Sequence, residues 1–241
     1  MATPTSDGSC GLDGDATEMT RRIAIDGPSG AGKSTVGYAL AQRVDATFVD
    51  TGLMYRALTL AAIECGIDVN DGAALGRLVG HCRIEVERPR PEHVDRLETV
   101  LLDGRDVTIE VRAPRVDQQV SAVSRHAEVR DAMLPVQREA AERGDSVMVG
   151  RDIGTVILPD ATLKVYLTAR AEVRAARRAA EMGVLERYEA YLAEIMKRDA
   201  ADSGRSVAPL RIPGGALVLD TGLLDVEACV EAIVARLEAV D

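Results

Sequence analysis

Aromatic side chains are scarce in this 241-residue sequence: there is no Trp, one Phe and five Tyr. Long apolar runs are missing too, and none approaches the ~18 residues of a membrane span. The first twenty residues are polar and Gly-rich, with neither a basic start nor an apolar centre. They exclude a secretory or transit leader, read as a disordered arm over residues 1–20, and point to a cytoplasmic protein with no membrane partner. Cys10, Cys65, Cys82 and Cys229 form no C-x-x-C pair, so they are expected to be reduced thiols, mostly in the core. His81, His93 and His126 lack metal-ligand spacing. The guanine-reading pattern N-K-x-D is absent. Lysine is nearly so: three of the 29 basic residues are Lys and 26 are Arg. The net charge of −10 argues against non-specific binding to nucleic acid.

Against these absences, short β-branched runs alternate with helix-period segments, the pattern of an α/β domain with a parallel sheet. Strands are predicted at 22–26, 47–50, 146–149, 162–168 and 216–220. Helices are predicted at 33–44, 52–65, 171–181, 185–200 and 226–240, with two more across 114–143. Asp71 is a candidate N-cap for a further short helix. Residues 84–112 break the alternation and read as three short, directly linked strands, hence an antiparallel appendage. The triplets Asp-Thr-Gly at 50–52 and 220–222 are read as a coincidence of two strand ends. Neither a heptad repeat nor an aggregation-prone edge argues for assembly, so a monomer is expected.

The strongest motif is GPSGAGKST, Gly27 to Thr35, lying between an apolar strand and a helical pattern. It fits G-x-x-x-x-G-K-[ST]. Gly27, Pro28, Ser29, Gly30, Ala31 and Gly32 would turn backbone amides onto phosphate oxygens at a helix N-terminus. Lys33 would bridge the outer phosphates, Ser34 would ligate Mg2+, and Thr35 completes the loop. This predicts an ATP site with Mg2+, and a small-molecule kinase as the leading class.

Two further strand ends carry chemistry. VDTGLMYRAL sets Tyr55 beside Arg56, and VMVGRDIGTVILPD presents Arg151 and Asp152. In open α/β sheets, ligands sit beyond the C-terminal strand ends, so these turns and the phosphate loop should converge on one crevice. Arginines facing a phosphate cradle suggest an acceptor that is itself phosphorylated.

GPSGAGKST, DTGLMYRAL, GRDIGTVILPDA and the late KRDAADSGRSVAPL together resemble the bacterial-type cytidylate kinases, from about Ile23 to the C-terminus. The resemblance implies an adenylate-kinase-like fold over 21–241: a P-loop parallel-sheet core with helices on both faces, a monophosphate-binding insert (about 72–126) and a helical lid (about 170–212). It implies transfer of the ATP γ-phosphoryl group to CMP or dCMP. Thr51, Tyr55 and Arg56 match the monophosphate turn; Ser121, Arg130 and Asp152 match the readers of the cytosine edge. Arg151 matches a phosphate-binding arginine, and Arg198, Asp202 and Arg205 match the group near sugar and phosphate. Arg174 and Arg178 match lid arginines. The transfer itself would fall to Lys33, Arg151, Arg178 and Arg205. This sequence departs from the pattern at Ala200-Ala201, where charged residues are common, and at Pro135, which is expected to interrupt the helix presenting Arg130. The competing readings are a P-loop kinase for UMP, AMP or a metabolite hydroxyl, and a nucleotide-dependent switch.

Overall fold

The computed structural model describes residues 20–89, 91–93, 96–205 and 207–239. Apart from Thr20, the expected N-terminal arm lies outside the described residues, as does Cys10. In chain order, β1 (Arg22–Asp26) leads through the Gly-rich turn into α1 (Lys33–Arg43). β2 (Thr47–Asp50) passes straight into α2 (Thr51–Glu64), followed by α3 (Gly72–Val79). Asp71 caps α3 by accepting from the Ala74 amide at 2.9 Å. Next come β3 (Ile84–Glu87), β4 (Thr99–Leu102), β5 (Arg105–Asp106), α4 (Pro114–Asp117) and α5 (Val120–Val123), which with α3 fall within the span 72–126 expected to be the insert. Then come α6 (Ala127–Glu142), β6 (Ser146–Gly150), β7 (Leu163–Thr168), α7 (Ala171–Glu181), α8 (Tyr188–Ser203), β8 (Leu217–Asp220) and α9 (Val226–Glu238).

Five strands form a parallel sheet in the order β2-β6-β1-β7-β8, and β3, β4 and β5 form a separate antiparallel sheet. The central strand β1 is covered on both faces, which is why it reads apolar almost throughout. Its period-two alternation sends Ile23 and Ile25 to one cluster, with Leu40 of α1 and Ile233 of α9. Ala24 belongs to the other, with Met54 and Leu58 of α2. Each fully buried Leu or Ile is worth about 1.5–3 kcal/mol, so these two clusters hold the sheet rigid. The strands run parallel, so their C-terminal ends share one edge.

Four expectations need correction. The third insert strand stops at Asp106, because its carboxylate accepts from the Thr108 amide (3.0 Å) and hydroxyl (2.7 Å) and turns the chain away. A 3-10 turn at Glu110–Arg112 occupies the rest of that predicted strand. Residues 114–143 form three helices rather than two. Pro135 lies inside α6 without ending it: Pro135 is exposed, and so is Asp131, whose carbonyl loses the helical partner. Finally, of the three described cysteines only Cys229 is buried; Cys65, at the C-cap of α2, is exposed and Cys82 half-buried.

Candidate active site

The phosphate loop is shaped by close approach. Gly27 has φ +154°, and a Cβ there would sit 2.1 Å from the Leu167 carbonyl oxygen. Gly32 adopts a left-handed conformation (φ 80°) at the N-cap of α1, and no side chain caps that helix. The first-turn amides are thus left for an anion. Lys33 is buried, and its Nζ donates to the Pro28 carbonyl at 2.7 Å. Burial, and then the nearby Arg151 guanidinium, push its pKa well below the usual lysine range. The Ser34 hydroxyl donates to Asp50 at 2.7 Å.

Asp50 ends β2 and joins several parts of the site. One oxygen takes Ser34 and the other caps α2 at the Gly52 amide, 2.8 Å away. Its own amide donates to Glu98 at 3.1 Å. Glu98 is 2% exposed, and burial, followed by the charge of Asp50, raises its pKa to about 8. Next in sequence, Thr51 ties the start of α2 to β6 by donating to the Val149 carbonyl at 2.9 Å. The second Asp-Thr-Gly repeats this chemistry. Asp220 caps the Gly222 amide at 2.8 Å, and Thr221 donates toward Thr168 or Ala31, each at 3.2 Å. Thr221 thereby touches the phosphate loop, so the second triplet supports the site rather than merely ending a strand.

The turn after β6 is anchored from beneath. Asp26 is fully buried and accepts from the Ile153 and Gly154 amides at 2.7 and 2.8 Å. Burial outweighs those two bonds and raises its pKa to about 6. This anchor presents Arg151 and Asp152. Arg151 donates to Asp202 at 2.9 Å, and Arg205 pairs with the other oxygen of the same carboxylate. Burial opposes ionisation of Asp202, but Arg151, Arg205 and Arg198 overcome it and its pKa is lowered. Asp152 accepts from Arg130 at 2.9 Å, and burial raises its pKa despite that partner. The Arg130 guanidinium lies over the Tyr55 ring at 5.6 Å, and its Nε has no partner among the described residues. Arg56 donates to the Val111 carbonyl at 3.2 Å and pairs with Asp117. Arg198 has no carboxylate within 4.0 Å among the described residues, and burial, then Arg151, lower its pKa.

Tyr55, Arg56, Arg151, Asp152, Arg198, Asp202 and Arg205 therefore line one cleft, floored by Thr51 and adjoining Asp50. Its guanidinium groups come from α2, the β6 turn, α8 and the segment after it; Arg151 and Arg198 act on Lys33, and Asp50 of the lining holds Ser34 of the phosphate loop. Residues 23–239 match the cytidylate kinase family model. The chain belongs to the cytidylate kinase family. A cytidylate kinase of Caldanaerobacter subterraneus subsp. tengcongensis is 47% identical over 218 residues, covering 89% of this chain and 93% of that protein. One of Mycobacterium avium is 46% identical over 203 residues, covering 83% and 87%. An uncharacterised Eubacterium ventriosum protein of known structure is 14% identical, with a TM-score of 0.50 over 91% of this chain and 99% of that one; it shows likeness of fold alone. Family membership makes this chain an ATP-dependent phosphotransferase.

Not every residue assigned from the cytidylate kinase pattern joins the cleft. Ser121 is exposed on α5; Val120 and Ser124, one helical turn apart, face the cleft instead. Arg174 is buried in packing: it donates to the Ala169 (2.8 Å) and Ser29 (3.0 Å) carbonyls and grips Asp199 at 2.6 Å. It is a tie between α7, α8 and the phosphate loop. Arg178 is half-exposed, with Glu181 at 3.9 Å. Arg177, which sequence reasoning passed over, binds the Thr221 hydroxyl at 3.0 Å and carbonyl at 2.5 Å. Also passed over were Asp26, Asp50, Glu98 and Asp117. Asp50 alone left a signal, as the leading residue of a capping triplet.

Proposed function

We propose that the chain transfers the terminal phosphoryl group of ATP to CMP and dCMP, releasing ADP with CDP or dCDP. What carries this reading is the meeting of Arg56, Arg151, Arg198 and Arg205 in one cleft beside the phosphate loop. A nucleoside monophosphate brings a second phosphate to that loop, and guanidinium groups match its geometry.

The acceptor phosphate is mostly dianionic at pH 7, its second pKa being about 6, and needs no general base. One of its oxygens bonds to the γ-phosphorus of ATP while the bond to the β–γ bridging oxygen breaks, leaving that electron pair on ADP. Catalysis reduces to alignment and charge neutralisation. Lys33 leaves the Pro28 carbonyl for the outer phosphates of ATP. Arg56, Arg151, Arg198 and Arg205 orient the acceptor phosphate, and Asp202 is placed to meet the ribose. Ser34 and the carboxylate beside it offer the hard oxygen donors that suit Mg2+, so these two would hold the ion together with ATP. Bound there, Mg2+ neutralises charge on the ATP phosphates.

At the far end, Asp152 accepts from the cytosine amine and Arg130 faces the adjoining acceptors, its Nε still unpartnered. Uracil would turn a carbonyl toward Asp152, a buried mismatch costing roughly 1–3 kcal/mol. Residues 170–212, carrying α7 and α8, serve as the lid that excludes water, with Arg178 reaching the transferring group on closure.

The test is a coupled assay offering CMP, dCMP, UMP and AMP under one set of conditions. The cytidine nucleotides are expected to have the highest kcat/KM. Preference for UMP, AMP or no acceptor would overturn the substrate assignment.

A further inference from the structure

Asp117 is the C-terminal residue of α4 in the insert, with its side chain 47% exposed. Its carboxylate pairs with Arg56 of α2, whose other nitrogen holds the Val111 carbonyl at 3.2 Å. Two further guanidiniums act on it electrostatically, Arg178 of α7 and Arg198 of α8. Neither is well satisfied: Glu181 lies 3.9 Å from Arg178, and Arg198 has no carboxylate within 4.0 Å among the described residues. One carboxylate beside the cleft thus serves cations from α2 and α8, whose Arg56 and Arg198 line it, and from α7, whose Arg178 lies outside it.

We propose that Asp117 is an anionic placeholder for the acceptor's phosphate, a specificity-determining residue that competes for Arg56 and so sets how tightly the acceptor binds. The proposal rests on the reading that Arg56 takes the acceptor phosphate. Asp117 holds Arg56 and reduces repulsion among Arg56, Arg178 and Arg198. When a phosphate arrives, Arg56 exchanges a singly charged, half-exposed partner for a dianion, and the two anions cannot share it without repulsion. Asp117 therefore opposes binding while holding the guanidinium ready. The same competition acts on any small phosphate, so the cleft binds inorganic phosphate less well than its arginine content alone would suggest.

The deciding substitution is Asp117→Asn, which keeps an oxygen to accept from Arg56 and removes the charge. CMP, cytidine and inorganic phosphate are titrated calorimetrically into parent and variant at low and high salt. The dissociation constants of CMP and of inorganic phosphate are expected to fall about two- to fivefold in the variant, the size of a half-exposed charge pair. The gain should shrink at high salt, and cytidine binding should be unchanged. Unchanged or weaker CMP binding in Asp117→Asn, with phosphate unaffected, overturns the placeholder. If neither protein binds CMP, the acceptor assignment fails instead, and the phosphate titration alone still decides Asp117: tighter phosphate supports it, equal phosphate overturns it. Asp117→Ala with melting temperatures separates these outcomes from misfolding; parallel affinity changes in a stably folded variant support the charge competition.

Discussion

Arg130 and Asp152 meet at 2.9 Å, each side chain only 7% exposed, and Asp152 lines the cleft. They come from α6 and from the turn after β6, and the Tyr55 ring supports the guanidinium from below. A buried ion pair is weak evidence of stability, since desolvation offsets much of its attraction. On the proposed reading, the pair recognises the base. Asp152→Asn keeps an acceptor for Arg130 and adds donors that accommodate uracil. The ratio of kcat/KM for CMP over UMP is expected to fall about tenfold or more, the cost of 1–3 kcal/mol at a mismatched buried edge. An unchanged ratio would remove Asp152 from base recognition.

Arg151 is bonded to Asp202 and acts on Lys33 of the phosphate loop, and is proposed to bind the acceptor phosphate. Arg151→Ala should raise KM for CMP, dCMP and UMP alike, about ten- to a hundredfold, the loss of one charge-assisted contact of roughly 1.5–3 kcal/mol. ATP affinity, read by titration, should change far less. An effect that depends on the base would place Arg151 with the nucleobase instead.

Gly27 tests the phosphate loop. In Gly27→Ala the new methyl would meet backbone, the Leu167 oxygen at 2.1 Å, so the clash is not relieved by rotating a side chain. The loop must move away from β7, and ATP binding should be lost together with a few kcal/mol of stability. Calorimetry and thermal unfolding check both; normal ATP binding would mean the loop tolerates a different path.

Glu98 makes stability depend on pH. Its carboxyl ionises near 4.5 in the unfolded chain and at about 8 when folded. Between those values the folded state keeps a proton that the unfolded state has released, so stability falls as pH rises from about 4.5 to about 8. Glu98→Gln cannot ionise and loses that decline. The variant should be near parity with the parent at about pH 4 and more stable by a few kcal/mol at about pH 9. Parallel curves of unfolding free energy against pH would contradict the buried acid.

Much of this arrangement was visible in residue types and spacing. The glycines and Lys33 mark the phosphate loop, and β-branched runs mark the five core strands within a residue or so. The helices at 33–44, 52–65 and 171–181 follow their 3.6-residue period. Side-chain partners separated by long stretches of chain were not visible. Asp26 meets the Ile153 amide 127 residues away, and nothing local distinguishes it from any strand-end aspartate. The run of arginines in α7 allows several helical registers; only packing assigns Arg174 to Asp199, Arg177 to Thr221 and Arg178 to the open side. Ser121 and Ser124 lie three residues apart on and after a four-residue helix, too short to show which face is inward. The third insert strand was misjudged because Asp106 satisfies Thr108 locally, a competing bond that β-propensity does not register.

Phosphoryl transfer between two nucleotides in one cleft is the central proposal. The most direct measurement is quantitation of nucleotides by anion-exchange chromatography after incubating purified protein with ATP, Mg2+ and CMP. CDP and ADP are expected in equal amounts, with no inorganic phosphate released. ADP and inorganic phosphate accumulating without CDP would contradict that proposal.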